Sequence, residues 1–271
     1  MSRGRPTARR VDRPRTPWPV VPLAAVALAF VLVPFAALLL RAPWGDLADL
    51  ARDPVVRDAL RLSLTTALAA TGLCLLLGVP LAWVLARTRL PGRPVLRALV
   101  LLPMVLPPVV GGAALLFAFG RRGLLGEPVY EATGFLLPYS TWGVVVANTF
   151  VALPFLVLTV ESGLRSADPR YEEAAATLGA GRWTVLRRIT LPHAAPAIVA
   201  GAVLAWARAL GEFGATVTFA GNLQGRTQTM PLAVYLALER GQRDAAVALS
   251  LVLIAVSLAV LLPLRDRWLA T

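Results

Sequence analysis

The sequence predicts an all-α membrane protein with six transmembrane helices, and three observations carry that prediction. Of its 271 residues, 57% are hydrophobic and 15% charged, which is too apolar a mixture for an ordinary soluble domain. The apolar residues gather into six runs, each long enough to cross a hydrocarbon core ~30 Å thick, which takes ~20 residues at ~1.5 Å apiece. The charged residues lie almost entirely between those runs, and their density alternates from one connection to the next, as in a chain with a fixed orientation in a bilayer.

In chain order, residues 1–17 ("SRGRPTARRVDRPR" and its flanks) are rich in Arg and Pro and poor in apolar residues. Such a stretch cannot bury enough surface to fold alone and is expected to be a disordered basic cytoplasmic arm. The first span runs from about Trp18 to Leu40. Its apolar run exceeds the ~7–15 residues of a signal-peptide core, so it is expected to stay in the membrane. With its external loop it makes up residues 18–56. Further spans are expected at Leu60 to Ala86, Val95 to Phe119, Tyr139 to Leu164, Ala194 to Ala220 and Ala245 to Leu264, all within a transmembrane domain at 57–264. Residues 265–271 remain as a short cytoplasmic tail.

Charge sets the orientation. All 27 basic residues are arginine and the formal net charge is +12. Seventeen arginines fall in the arm, the tail and the connections after spans two and four, against eight in the alternate connections, which also hold Asp46, Asp49, Asp53, Asp58, Glu127 and Glu131. Basic residues near span ends stay on the cytoplasmic side, so both termini are expected there. The basic arm is then a topology determinant beside anionic lipid, and nucleic acid drops out as a partner. A single cysteine, Cys74, and a single histidine, His193, leave no disulfide framework and no cysteine or multi-histidine metal site. Neither a metal nor a cofactor is expected in this chain, and no cluster of nucleophile, base and metal ligand points to an enzyme.

The connection at 165–192 is long for a cytoplasmic loop and its signals are helical. Asp168-Pro169 supplies a cap and a first-position proline. Glu172 and Glu173 fall in the first turn, where the helix dipole favours negative charge. Ala174, Ala175, Ala176 and Leu178 propagate the helix, and Gly179 stops it in a position suited to left-handed backbone. A second, amphipathic helix starts at Arg182 with Trp183, Leu186 and Ile189 on one side. Leu191-Pro192 is expected to redirect the chain into span five. The alanines make a narrow, smooth ridge, better suited to a groove on a protein than to lipid.

Glu173-Ala174-Ala175, three residues, Gly179, nine residues, Ile189, one residue, Leu191-Pro192 resembles the EAA motif of permease subunits of bacterial ABC importers. The resemblance covers about Arg57 to Leu264. It implies a type I importer bundle in the bacterial cell membrane, with Glu172, Glu173, Ala174, Ala175, Gly179, Ile189, Leu191 and Pro192 forming the segment that docks on a cytoplasmic ATPase subunit. No G-x-x-x-x-G-K-[ST] phosphate loop occurs in the chain, so ATP and Mg are expected on that partner.

Two features bear on the translocation path. Span three holds Pro103, Pro107, Pro108, Gly111 and Gly112, which loosen the backbone ladder and predict a kink; they serve helix packing or pore lining. Span five places Arg208 and Glu212 four residues apart in an apolar run, flanked by Gly211 and Gly214. Charges there are costly in lipid. They neutralise each other as an i, i+4 pair, contact an anion, or serve gating or subunit packing. The stretch "RALGEFGATVTFAGN" followed by "GRTQTMPLAVYLALERG" is similar to molybdate-transport permeases, and sulfate and thiosulfate permeases share its Gly-Glu-Phe-Gly core. The resemblance implies import of molybdate or tungstate, an extracytoplasmic molybdate-binding protein and a second copy of this chain; sulfate is the alternative, with a pair of different permeases. A stand-alone ion-coupled anion transporter calls for several intramembrane acids or repeated discontinuous helices, and Arg208/Glu212 is the one such pair in the sequence.

Overall fold

The structure, a computed structural model, describes residues 18–88 and 90–268. The expected arm at 1–17 and the last three residues of the tail lie outside the described residues. Contacts divide the chain between Ala42 and Pro43. The first unit contributes α1 (Val20–Leu40), an apolar helix of 21 residues that carries Pro34 without interruption.

The second unit is all helical among the described residues: α2 (Leu47–Arg52), α3 (Pro54–Arg87), α4 (Arg93–Val105), α5 (Pro108–Phe119), α6 (Gly126–Thr133), α7 (Thr141–Ser166), α8 (Arg170–Thr177), α9 (Arg182–Val185), α10 (Leu191–Leu210), α11 (Gly214–Phe219), α12 (Met230–Glu239) and α13 (Arg243–Trp268). The span expected from Leu60 begins earlier, at Pro54. The Asp53 carboxylate accepts the Val55 N–H at 2.7 Å, and Pro54 occupies the first turn, where its missing N–H costs nothing. Ser140 caps α7 in the same way, its hydroxyl accepting the Gly143 N–H at 3.1 Å.

α7 is the central helix, with α3 and α10 against it. Lipid tails are as apolar as leucine, so these helices associate by close packing and not by escape from water. Apart from Leu85 in its last turn, the residues of α3 that are buried are small: Ala59, Ser63, Thr66, Ala67, Ala70, Cys74, Gly78 and Ala82 line one face. At Gly78 a side-chain Cβ would sit 2.6 Å from Leu156 Cδ2 of α7. The Cys74 thiol points at the Thr149 carbonyl 3.7 Å away and is packing, as a lone cysteine in an apolar run should be.

Three expectations are corrected. Val95 to Phe119 is not one kinked span: α4 and α5 are separate helices whose axes differ by 116°. Leu106 and Pro107 each precede a proline, both are driven out of the helical region (ψ 141° and 133°), and two extended residues in succession break a helix where one proline would bend it. Ala194 to Ala220 is interrupted at Gly211–Phe213, giving α10 and the short α11. Conversely, Leu191-Pro192 does not redirect the chain. α9 passes into α10 through a π turn at Leu186–Thr190, so residues Arg182–Leu210 run as one helix of 29 residues. The Leu191 N–H bonds to the Leu186 carbonyl five residues back, and the wider turn lets Pro192 sit in the helix without a clash. Among the described residues there are thus five helices long and apolar enough to cross a membrane and one bent pair, with the fifth predicted span cut short at Leu210.

Candidate functional site

Two regions hold the residues singled out from the sequence. The first is the segment between α7 and α10. Asp168 Oδ1 accepts the Arg170 N–H at 2.9 Å and starts α8, with Glu172 and Glu173 in its first turn. At the other end Gly179 adopts φ +84°, the Ala180 N–H reaches back to the Ala175 carbonyl and the Gly179 N–H to the Ala176 carbonyl, both at 3.0 Å. These two bonds and the left-handed glycine form a Schellman closure that satisfies the last carbonyls of the helix. A Cβ at Gly179 would meet nothing within 4 Å, so only the backbone conformation demands glycine there.

The faces of α8 differ. Glu173 and Ala174 are exposed, Ala175 is half-buried, and Leu178 projects with 89% of its surface uncovered. Tyr171 and Trp183 are exposed too, the Tyr171 ring stacked on His193 at 5.2 Å, so the chain's one histidine orients α8 against α10. Glu172, unlike Glu173, is half-buried. Its Oε1 accepts the Thr190 hydroxyl at 3.0 Å and lies 3.1 Å from Arg87 Nη2 at the end of α3. Glu172, expected beside Glu173 as a polar docking contact, is thus engaged by Thr190 and Arg87 of the same chain. Ile189 and Leu191 are half-buried and Pro192 is exposed, all within the 29-residue helix.

Beside this segment lies a knot of charge that sequence reading used only for topology. Glu161 of α7 has 2% of its side chain exposed; Arg165 Nη2 approaches its Oε1 at 2.5 Å, Arg97 Nε its Oε2 at 3.3 Å and Arg93 Nη2 its Oε1 at 3.9 Å. Glu161/Arg165 and Arg93/Arg97 are both i, i+4 pairs, a spacing that could have revealed two facing helix ends. The knot fastens the start of α4 to the end of α7.

The second region is where the two broken spans meet. Arg208 Nη1 lies 2.6 Å from Glu212 Oε2, and Glu212 Oε1 accepts the Ala215 N–H at 2.7 Å in the first turn of α11. Glu212 is buried, with 1% of its side chain exposed, so one carboxylate neutralises Arg208 and caps the helix after the break. Gly211 ends α10 and is exposed. Gly214 faces Pro108: a Cβ on the glycine would lie 2.7 Å from Pro108 Cβ, and one on Gly112 would lie 2.9 Å from the Ala215 carbonyl oxygen. Pro108 and Gly214 are therefore brought together, two residues beyond Glu212, and Pro107 and Pro108 are both exposed beside the break between α4 and α5. Sequence reading missed Asn148 on α7, which is buried and whose Oδ1 lies 3.4 Å from the Thr216 hydroxyl of α11.

A bundle of apolar helices, two of them broken and in contact at the break, with a helical segment presented beyond the ends of α3 and α7, defines a polytopic membrane transport subunit. The chain belongs to the family of binding-protein-dependent transport system inner membrane components, whose model matches residues 75–270. It is 53% identical over 262 residues to the molybdenum transport system permease protein ModB of Mycobacterium tuberculosis, covering 94% of this chain and 95% of that one. It is 37% identical over 234 residues to the sulfate transport system permease protein CysT of Escherichia coli, covering 85% of this chain and 84% of that one. Its fold matches the crystal structure of a bacterial ABC transporter involved in the import of the acidic polysaccharide alginate, with a TM-score of 0.72 at 21% identity over 91% of this chain and 92% of that one. The chain is a multi-pass protein of the cytoplasmic membrane with the ABC importer permease fold.

Proposed function

We propose that this chain is the membrane-spanning permease subunit of an ATP-driven importer of molybdate or tungstate, working as a homodimer with two copies of a cytoplasmic ATPase and an extracytoplasmic molybdate-binding protein. The observation that carries the substrate is the likeness to molybdenum permeases along nearly the whole chain, with the sulfate permease further off. The family's dependence on a binding protein supports that partner. Chemistry stays off this chain: ATP and Mg are held by the ATPase, and α8 and its flanks carry the movement. Arginine density supports placing α8 on the cytoplasmic side. Glu173, Ala174, Ala175 and Gly179 form the docking ridge, while Ile189, Leu191 and Pro192 belong to the helix that leads from it into the bundle. Arg208, Gly211, Glu212, Gly214, Pro107 and Pro108 form the region of the path where two breaks coincide.

In a reconstituted complex, binding protein loaded with molybdate is expected to raise ATP hydrolysis at least tenfold over binding protein loaded with sulfate. Equal stimulation by both would point to the sulfate reading, and anion uptake by the permease alone would overturn the ATP-driven one.

Gly179→Val is expected to abolish coupled uptake while membrane insertion persists. A β-branched residue is strained at φ +84°, by about 1–2 kcal/mol, although its Cβ meets no neighbour within 4 Å. Gly179→Asn, which tolerates left-handed backbone, keeps most of the activity. Uptake assays normalised to the amount of protein in the membrane check both variants.

A further inference from the structure

We infer that Glu172 is a positioning residue of the transport cycle: with Arg87 and Thr190 it forms a clasp that ties α8 to the bundle and carries its displacement to α3 and α10. The inference rests on the importer reading above and replaces a docking role for this glutamate with an internal one.

Three observations carry it. First, one oxygen, Glu172 Oε1, receives both the Thr190 hydroxyl at 3.0 Å and the Arg87 guanidinium at 3.1 Å. A single carboxylate oxygen thereby joins three elements: α8, the π turn before α10, and the last turn of α3. Second, α8 has no buried residue, and a cavity of about 710 Å³ lies behind it, lined by Trp83, Arg87, Glu172, Trp183 and Thr190 among others. Apolar packing therefore does little to hold α8, and its polar contacts and the Tyr171–His193 stack carry the load. Third, the pair is sheltered, with 18% of the Arg87 and 26% of the Glu172 side chain exposed. Ion pairs of the open surface contribute little, but a shielded pair with a second hydrogen bond loses less to water and salt.

The arrangement separates two tasks on adjacent residues. Glu173 and Ala174 point away from the bundle and are free to meet a partner, whereas Glu172 points back into it. A push on α8 reaches α3 as a pull on Arg87 and reaches α10 through Thr190.

The test uses the full permease with its ATPase and binding protein. Glu172→Gln removes the charge and keeps the shape. It is expected to leave co-purification of the ATPase within twofold of wild type, while binding-protein-stimulated ATP hydrolysis and anion uptake fall at least tenfold. Exchanging the charges, Arg87→Glu with Glu172→Arg, is expected to recover at least a third of wild-type uptake, whereas Arg87→Glu alone does not. Wild-type uptake by Glu172→Gln overturns the clasp. So does loss of the ATPase from that variant, since it would place Glu172 in the docking contact, and so does an exchange no better than its single variants.

If the exchanged protein does not fold, thermal melts of the isolated permease decide. Arg87→Gln, Glu172→Gln and the pair together should be non-additive, the double variant losing no more than the worse single one. Additive losses overturn the clasp. This melt cycle needs no transport, so failure of the wild-type assembly to import would overturn the importer reading and leave the clasp separately tested.

Discussion

Glu212→Leu is expected to destabilise the protein by about 3–5 kcal/mol, the loss that follows when one partner of a buried ion pair is removed. The substitution strands the Arg208 guanidinium, which lies 2.6 Å from Glu212 and has 27% of its side chain exposed. It also deprives the Ala215 N–H of its acceptor at the start of α11. Arg208→Leu leaves the opposite charge buried, and Glu212 has still less access to solvent. Replacing both at once, Arg208→Met with Glu212→Leu, removes the two charges together and should recover most of the stability, because an apolar pair of similar volume commonly matches a buried salt bridge. Unfolding of the purified protein in detergent measures all three. If the double variant recovers stability and loses uptake, the pair acts in transport beyond self-neutralisation; if it recovers both, neutralisation is its whole task.

Gly112→Val is expected to cost about 3 kcal/mol, toward the upper end of overpacking effects, and to abolish uptake. Its Cβ would fall 2.7 Å from Thr218 Cβ and 2.9 Å from the Ala215 carbonyl oxygen, and the second of these is backbone that cannot rotate aside. Trimming Thr218 to alanine therefore does not rescue the variant. Gly72→Ala is the control: it lies in α3 with nothing within 4 Å of an added Cβ, and it should be neutral or slightly stabilising because alanine restricts the unfolded chain. Thermal stability and uptake of the two variants, measured together, separate a tight crossing of α5 and α11 from a general intolerance of larger residues.

Much of the bundle was legible in the sequence because span length and charge placement are local. The cap at Asp168, the stop at Gly179 and the pairing of Arg208 with Glu212 are relations within a few residues, and the structure has each of them. What escaped depends on partners distant in sequence. Nothing near Glu172 announces that Arg87 and Thr190 will meet it, although successive helical positions point about 100° apart and adjacent glutamates therefore face different neighbours. The broken span at Pro107-Pro108 was read as a kink because one proline bends a helix; two extended residues in succession do more. The smooth passage through Pro192 was missed for the converse reason, since a π turn leaves no signature in composition. Asn148 could have been noticed as a lone amide in an apolar span, and its partner Thr216 could not.

The unbroken helix from Arg182 to Leu210 has a mechanical consequence. At ~1.5 Å per residue its 29 residues make a lever about 43 Å long, and a swing of about 10° at one end displaces the other by about 7 Å. Its near arm carries Trp183 and Thr190 beside α8; its far arm ends at Leu210, one residue from the break and two from Glu212. A small rotation imposed on the near arm is thus amplified at the junction of the broken spans, where Gly112 and Gly214 hold two helices so close that they must slide past each other or part.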